Sequence, residues 1–381
     1  MSIEIKNLRK AANRILKAVK NKEKIIIYGD ADLDGVSSVI ILEESIKNLG
    51  SGTAAIYFPD REKEGYGITE HGLDCLKKHA PALLVVLDCG IGNFREIKIA
   101  KKLGFEVILI EHHEILDKLP EADIIVDPKQ EGDRYAFKQF ATVGIVFRLA
   151  NLLLKEQMSE SLRKSFLELV AMATIADMMP RIDENEEMIA QGLNSIRESW
   201  RPGIQALFQL EPFKSLTLIQ QVYKVNSLLN IRNVENGMPA AFRLLTSSDR
   251  KEAAELVEKL LEKSIEKKKK IKEIIEEIED RISREKDNII FQGNSGWELI
   301  LLGVAAAILS QKYQKPVFLY RKDKDDSQGS IRAPAGFNMV ESMKACSKCL
   351  ITFGGHPQAA GFKVSNKNLE EFKECLIDYF D

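Results

Sequence analysis

Five short apolar runs mark the N-terminal part of the chain: Lys24–Tyr28, Ala54–Phe58, Ala82–Leu87, Glu106–Ile110 and Asp123–Val126. Rich in Ile, Val and Leu, they read as strands buried on both faces. Between them, Val36–Asn48, Glu70–His79 and Phe94–Leu103 carry helical patterns. Such alternation predicts an α/β fold, a doubly wound and mostly parallel sheet with right-handed crossovers. Residues 140–200 read as mainly helical, with Gly144 and Pro180 as punctuation.

Farther on, Leu256, Leu260, Ile265, Ile271, Ile274, Ile275, Ile278 and Ile282 recur at helical spacing among Lys and Glu. One long helix from Ser248 to Lys286 is expected, suited to bridging two domains. Its basic run Lys267–Lys270 reads as a solvated face. β-type runs then resume at Asn288–Phe291, Glu298–Leu301 and Pro316–Tyr320, with a helix-like stretch at Val304–Lys312. Gly329–Arg332 and Phe353–His356 read as glycine-containing loops. The chain thus divides at the sequence level into residues 1–247, a connecting helix 248–285 and a smaller α/β domain 286–381.

Composition narrows the class. Of 381 residues, 45% are hydrophobic and 29% charged, the balance of a soluble globular protein with a large core. A net charge of -2 means that any nucleic-acid role needs locally concentrated basic groups. The five cysteines are scattered and odd in number, which argues for a reducing compartment. Cys346 and Cys349 have CxxC spacing without a second pair to complete a zinc site, so the spacing reads as chance near a helix end. No run approaches the roughly 18 apolar residues of a membrane span, and a cytoplasmic location is expected.

The candidate chemistry lies where strands should end. Asp30, Asp32 and Asp34 occupy alternate positions after Lys24–Tyr28, although Asp is a poor strand former. Asp88 follows Ala82–Leu87, and Glu111-His112-His113 follows Glu106–Ile110. In open α/β sheets, ligands bind at these carboxyl ends. Asp177 adds a further acid inside the apolar stretch Ala173–Pro180, costly there unless paired or ligated.

Oxygen-rich ligands with imidazoles and no thiolate favour Mn²⁺ or Mg²⁺ over Zn²⁺. Clustered carboxylates repel unless cations offset them. Two ions about 3.5–4 Å apart would do so, acidify a water between them and clamp an in-line displacement at phosphorus. Asp88, on the central strand, is the natural bridging ligand, and a neighbouring imidazole would stabilise the developing charge. Arg332 and Ser330 are candidate phosphate contacts, as are Gly354, Gly355 and His356. Tyr66 is a candidate base-stacking residue.

As a set, these residues resemble the DHH phosphoesterase superfamily, and within it the RecJ-type single-strand exonucleases. The matching stretches are Tyr28–Gly35, Leu87–Gly90, His112-His113, Ala173–Asp177 and Gly354–Phe362, with Phe58–Arg61 and Glu64–Gly67 resembling the loop after the second strand. The resemblance runs from about residue 24 to the C-terminus. It implies a DHH catalytic domain joined by a long helix to a smaller DHH-associated domain, with the substrate strand in the groove between, and two Mn²⁺ ions. Asp32, Asp34, Asp88, His112 and Asp177 would be metal ligands with Asp30 beside them, and His113 would face the scissile phosphate. Arg61, Ser330, Arg332 and the Gly354–His356 loop would hold the nucleic acid.

Three departures qualify it. Glu111 stands where the family has the Asp of its motif, which would loosen support of the His pair. Asn230–Asn233 replaces an Asn-rich segment ending in Gly-Arg, putting a substrate contact in question or passing it to Arg232. No OB-fold follows, so grip on long strands is expected to be weaker. The implied function is Mn²⁺-dependent removal of nucleotides from single-stranded DNA or RNA, in the company of replication or repair proteins. The alternatives are a phosphodiesterase for short oligonucleotides or cyclic dinucleotides, and a non-catalytic scaffold.

Overall fold

A computed structural model describes residues 4–61, 63–115, 118–229, 234–235, 237–282 and 287–381. They form two units, Met1–Glu262 and Lys263–Asp381. After helix α1 (Leu8–Lys20) the first unit alternates: β1 (Ile25–Gly29), α2 (Leu33–Asn48), β2 (Ala55–Tyr57), α3 (Glu70–Leu76), β3 (Ala82–Leu87), α4 (Phe94–Lys102), β4 (Phe105–Ile110) and β5 (Ile124–Val126). All five strands pair in parallel, in the order β2-β1-β3-β4-β5.

Period-two alternation sends successive side chains of each strand to opposite faces. Ile25, Ile27, Leu83, Val85, Leu87, Ile108 and Ile110 join one core with α1 and α2. Ile26, Tyr28, Leu84, Val86, Val107 and Leu109 join a second core with α3 and α4. Each such buried side chain contributes about 1.5–3 kcal/mol. The chain leaves β1 toward β2 on one side and β3 on the other, so a topological switch point lies between β1 and β3. Gly35 belongs to this crevice, since a Cβ there would sit 2.3 Å from the Asp30 carbonyl oxygen.

Helices α5 (Thr142–Leu154), α6 (Glu160–Ala176), α7 (Asp183–Ser195), α8 (Pro202–Phe208) and α9 (Leu218–Leu229), the short strands β6 (Val234–Glu235) and β7 (Met238–Pro239), and α10 (Ala240–Thr246) follow. Helix α11 (Arg250–Ile282) then contributes Ala253, Leu256, Val257 and Leu260 to the first unit's core, and Ile271, Ile274 and Ile278 to a core of the second. Ile265, expected among the apolar positions, is 67% exposed.

The second unit contains β8 (Ile290–Asn294), α12 (Leu299–Tyr313), β9 (Val317–Lys322), β10 (Asp326–Arg332), α13 (Met339–Ala345), β11 (Leu350–His356), β12 (Ala359–Ser365) and α14 (Leu369–Phe380). Its sheet has the order β11-β12-β10-β9-β8, parallel only between β8 and β9.

Three expectations change here. Glu298–Leu301 is not a strand: Leu299 opens α12, whose Leu301, Leu302, Ala305, Ala306 and Leu309 are buried at helical spacing. A short apolar run alone cannot distinguish the two. The two glycine loops are strands β10 and β11. Gly329 sits inside the ladder because a Cβ there would lie 2.3 Å from the Leu319 carbonyl oxygen and 2.6 Å from the Phe362 ring. Finally, Cys346 at the end of α13 is disulfide-bonded to Cys375 on α14, while Cys349 is a buried free thiol. The scatter of cysteines along the sequence concealed that pairing.

Candidate metal centre

The backbone beyond β1 keeps its ladder for one more residue, with Asp30 N donating to Leu87 O at 3.2 Å. The Asp30 side chain is buried and held by Arg61, whose Nε donates to Oδ1 at 2.7 Å while Nη2 pairs with Oδ2. The same Nη2 lies 3.5 Å from Asp32 Oδ2, and the guanidinium rests 4.6 Å from the centroid of the Tyr66 ring. Arg61, expected on substrate, is thus bound to the acidic turn. Asp32 caps α2, its Oδ1 accepting from Asp34 N and Gly35 N, both at 3.1 Å.

Asp34 turns inward to the N-terminus of α5, where Thr142 N and Val143 N donate to it at 2.7 and 2.8 Å. Orphan amides and the positive helix end favour the ionised carboxylate. Asp88 follows β3 with φ 63°, left-handed backbone that Asp tolerates better than most residues. Its Oδ1 accepts from Thr142 Oγ1 at 2.9 Å. Thr142 therefore serves both acids, one with its amide and one with its hydroxyl.

His112 Nε2 lies 3.4 Å from Asp88 Oδ1, 3.5 Å from Asp177 Oδ2 and 3.9 Å from Asp34 Oδ2. Asp177 reaches this point as the C-cap of α6. The imidazole is buried, yet neither ring nitrogen has a hydrogen-bond partner among the described residues. Burial, then the neighbouring His113, pushes its pKa down to about 4, so a neutral ring with a free lone pair is present at pH 7. Burial and then neighbouring carboxylates push Asp34 and Asp88 well above the usual carboxylate range. Orphan imidazole and crowded acids are both relieved by a hard cation.

Donor atoms gather in three sets, each within 4.8 Å: Asp88, His112 and His113; Asp34, His112 and Asp177; Asp30, Asp32 and Asp88. Asp88 and His112 each belong to two of them; the Asp88 carboxylate, with two oxygens, could serve two adjacent ions, whereas His112 would hold one. Oxygen dominance and the absence of thiolate suit Mn²⁺ or Mg²⁺.

Glu111 does not loosen the His pair. Fully buried, its Oε2 accepts from His112 N at 3.0 Å and His113 N at 3.3 Å, and lies 2.7 Å from His113 Nδ1. Its Oε1 accepts from Ile91 N at 3.2 Å. Burial disfavours charge on both partners, but their mutual hydrogen bond prevails, holding Glu111 low and His113 high. His113 Nε2 points toward the Tyr66 hydroxyl, 3.5 Å away.

Two buried residues escaped the sequence reading, Thr142 in the site and Asp127 at the end of β5. Thr142 carried no local signal beyond opening a helix. Asp127 did, since it directly follows the fifth apolar run. It is fully buried, its Oδ1 accepts from Lys129 N at 2.8 Å, its Oδ2 has no hydrogen-bond partner among the described residues, and burial pushes its pKa up to about 7.

The remaining expected residues belong to the second unit. Ser330 and Gly354 both lie opposite Gly361 on the strands flanking β12, and Arg332 opposite Ala359. Arg332 Nη1 donates to the Ile331 carbonyl at 2.8 Å, and the guanidinium makes no ion pair among the described residues. It lines a cavity of about 410 Å³ with Ser310, Gln311, Gln314 and Gln358. Gly355 adopts φ 139°. The His356 side chain and Asn230–Asn233, with Arg232, lie outside the described residues.

Residues 24–174 match the model of the DHH family, N-terminal domain, and residues 286–381 that of the DHHA1 domain. The single-stranded-DNA-specific exonuclease RecJ of Bacillus subtilis (strain 168) is 34% identical over 99% of this chain. The chain spans 48% of that relative's length. The RecJ of Thermus thermophilus is 26% identical over 99% of this chain and 55% of its own length. A crystal structure of exonuclease RecJ bound to manganese superposes with a TM-score of 0.84 at 24% identity, covering 99% of this chain and 95% of the other. At that identity the likeness speaks for the fold. Matches to the DHH and DHHA1 models over residues 24–174 and 286–381, with a RecJ relative matched along nearly the whole chain, place this chain in the DHH family, among its RecJ-like members.

Proposed function

We propose that this chain is a Mn²⁺-dependent exonuclease that hydrolyses phosphodiester bonds of single-stranded DNA with two divalent ions. The observation that carries the reading is the overlap of donor sets at Asp88 and His112. Asp32, Asp34, Asp88, His112 and Asp177 would hold the ions, Mn²⁺ or Mg²⁺. Asp30, committed to Arg61 through both oxygens, would support them from behind. Bound ions supply Lewis acidity for the attacking water and charge to offset the phosphate.

The chain's own groups do the rest. Thr142 and the α5 amides fix Asp34 and Asp88, so the acids need not reorganise when substrate arrives. Glu111 holds His113 at Nδ1, leaving Nε2 to face the scissile phosphate as charge develops. In the second unit, Ser330, Arg332 and the Gly354-Gly355 backbone would offer phosphate contacts of their own. The name of the Bacillus subtilis relative supports single-stranded DNA as the substrate.

Nucleotide release from end-labelled single strands tests the reading, in wild type and Asp88→Ala, with Mn²⁺ or Mg²⁺ and with 5′- or 3′-blocked ends. Release abolished by Asp88→Ala is expected. Equal release by both proteins rules the reading out. Dinucleotides and RNA in the same panel set the substrate length and sugar.

A further inference from the structure

Directly after Asp177, the chain breaks a local rule. Helix α6 ends in a Schellman motif: Met178 N bonds Ile175 O and Met179 N bonds Thr174 O, both at 3.2 Å. The residue at the left-handed position of such a motif is usually glycine. Here it is Met178, at φ 58° and 89% exposed. A large apolar side chain in strained backbone and in water serves neither packing nor the turn.

Ile182, in the same loop, and Tyr223, which Arg181 of that loop contacts, share that exposure. They are about half exposed, at 48% and 52%. Arg181 lies across the Tyr223 ring, 5.2 Å from its centroid, and Nη2 donates to the Tyr223 hydroxyl. Helix α9, which carries Tyr223, is fastened to α6 by Asn226 Nδ2 donating to Met172 O at 2.8 Å. Arg181 makes no ion pair among the described residues. Exposed apolar side chains, and a guanidinium with no ion pair among the described residues, thus follow within five residues of a candidate metal ligand.

We propose that Met178, Arg181, Ile182 and Tyr223 form a platform for single-stranded nucleic acid. One base stacks on the Met178, Tyr223 and Arg181 surface, and the guanidinium edge takes a phosphate. The planar guanidinium and phenol suit a base face, which every nucleotide offers whatever its sequence. Charge favours this occupant over a purely apolar protein segment, which would leave Arg181 unanswered. Continuity with Asp177 places the bound nucleotide next to the scissile bond. The substrate class rests on the exonuclease reading, but the binding test does not require cleavage.

The test is fluorescence anisotropy of labelled oligo-dT and oligo-rU with Ca²⁺ replacing Mn²⁺, using wild type, Met178→Gly, Tyr223→Ala, Tyr223→Phe and Arg181→Ala. Loss of a stacking side chain should weaken both strands by about fivefold or more, with Tyr223→Phe near wild type. Arg181→Ala should lower the salt slope of binding by about one. Met178→Gly is safe for folding, because glycine suits that backbone. Unchanged affinities in Met178→Gly and Tyr223→Ala overturn the platform and leave the patch to a protein partner. Hydrolysis of bis(p-nitrophenyl) phosphate by the unaltered protein with Mn²⁺ reads the catalytic claim separately, so failure of either idea is distinguishable.

Discussion

The hydroxyl of Thr142 donates to Asp88 Oδ1 at 2.9 Å, across 54 residues of sequence. The same residue's amide donates to Asp34, so the start of α5 fixes the acids that follow β1 and β3. Thr142→Val keeps the shape and the amide but removes the hydroxyl. Loss of a group that orients a ligand typically weakens metal binding about 10- to 100-fold. Calorimetric titration with Mn²⁺ should show a drop in that range, and unchanged affinity would mean that Asp88 is oriented by other contacts.

Glu111 and His113 form a pair with a defined pH signature. His113 is raised by the pair, so its stabilising effect is complete below the ordinary imidazole value and fades as pH climbs through its raised pKa. Glu111 is lowered, so its effect holds above the ordinary carboxylate value and is lost as pH falls through its folded pKa. Metal-free Glu111→Gln should therefore lose stability most at mildly acidic pH, by about 1–3 kcal/mol. Denaturant unfolding from about pH 5 to 8 reads this; a constant offset between the two proteins would contradict the pairing.

Asp127 works the other way. Burial raises its pKa to about 7, so the folded state prefers the proton and loses stability as pH rises from the ordinary carboxylate range to about 7. Asp127→Asn removes that titration while an amide oxygen can still accept from Lys129 N. It should stabilise the protein at alkaline pH, on the order of 1–3 kcal/mol, and much less in acid. Equal effects at both ends would show that Asp127 gains a partner when ionised.

Arg61 answers the charge of Asp30, which is 1% exposed. Arg61→Ala leaves that carboxylate stranded and should cost about 3 kcal/mol. Adding Asp30→Asn should recover much of the loss. A double-mutant cycle by denaturant unfolding measures the coupling, and additive effects would return Arg61 to a role on substrate alone.

Much of the first unit was legible in the sequence because a parallel sheet writes itself as uninterrupted Ile, Val and Leu. Asp30, Asp32, Asp34, Asp88 and His112 could be found because acids and imidazoles at strand ends break that pattern. What escaped depended on distance in sequence: Thr142 meets Asp34 and Asp88 only once α5 packs against the sheet, and Cys346 meets Cys375 only through two helices. The antiparallel ladders of β10 and β11 escaped for a different reason. Glycines are normally loop signals, but Gly329 is in β10 because Leu319 and Phe362 leave no room for a side chain, and Gly355 is in β11 because a Cβ there would meet the Ala359 carbonyl oxygen. Leu299–Leu301 misled because a helix buried along much of its surface and a buried strand share one composition.

Asp88 would lie between two adjacent ions, with His112 a ligand to one of them. Titration of the metal-free protein with Mn²⁺, followed by electron paramagnetic resonance, tests this arrangement most directly. Two ions per chain with a spin-coupled signal, lost in Asp88→Ala, are expected. A single uncoupled ion at saturation, or binding indifferent to Asp88→Ala, would contradict it.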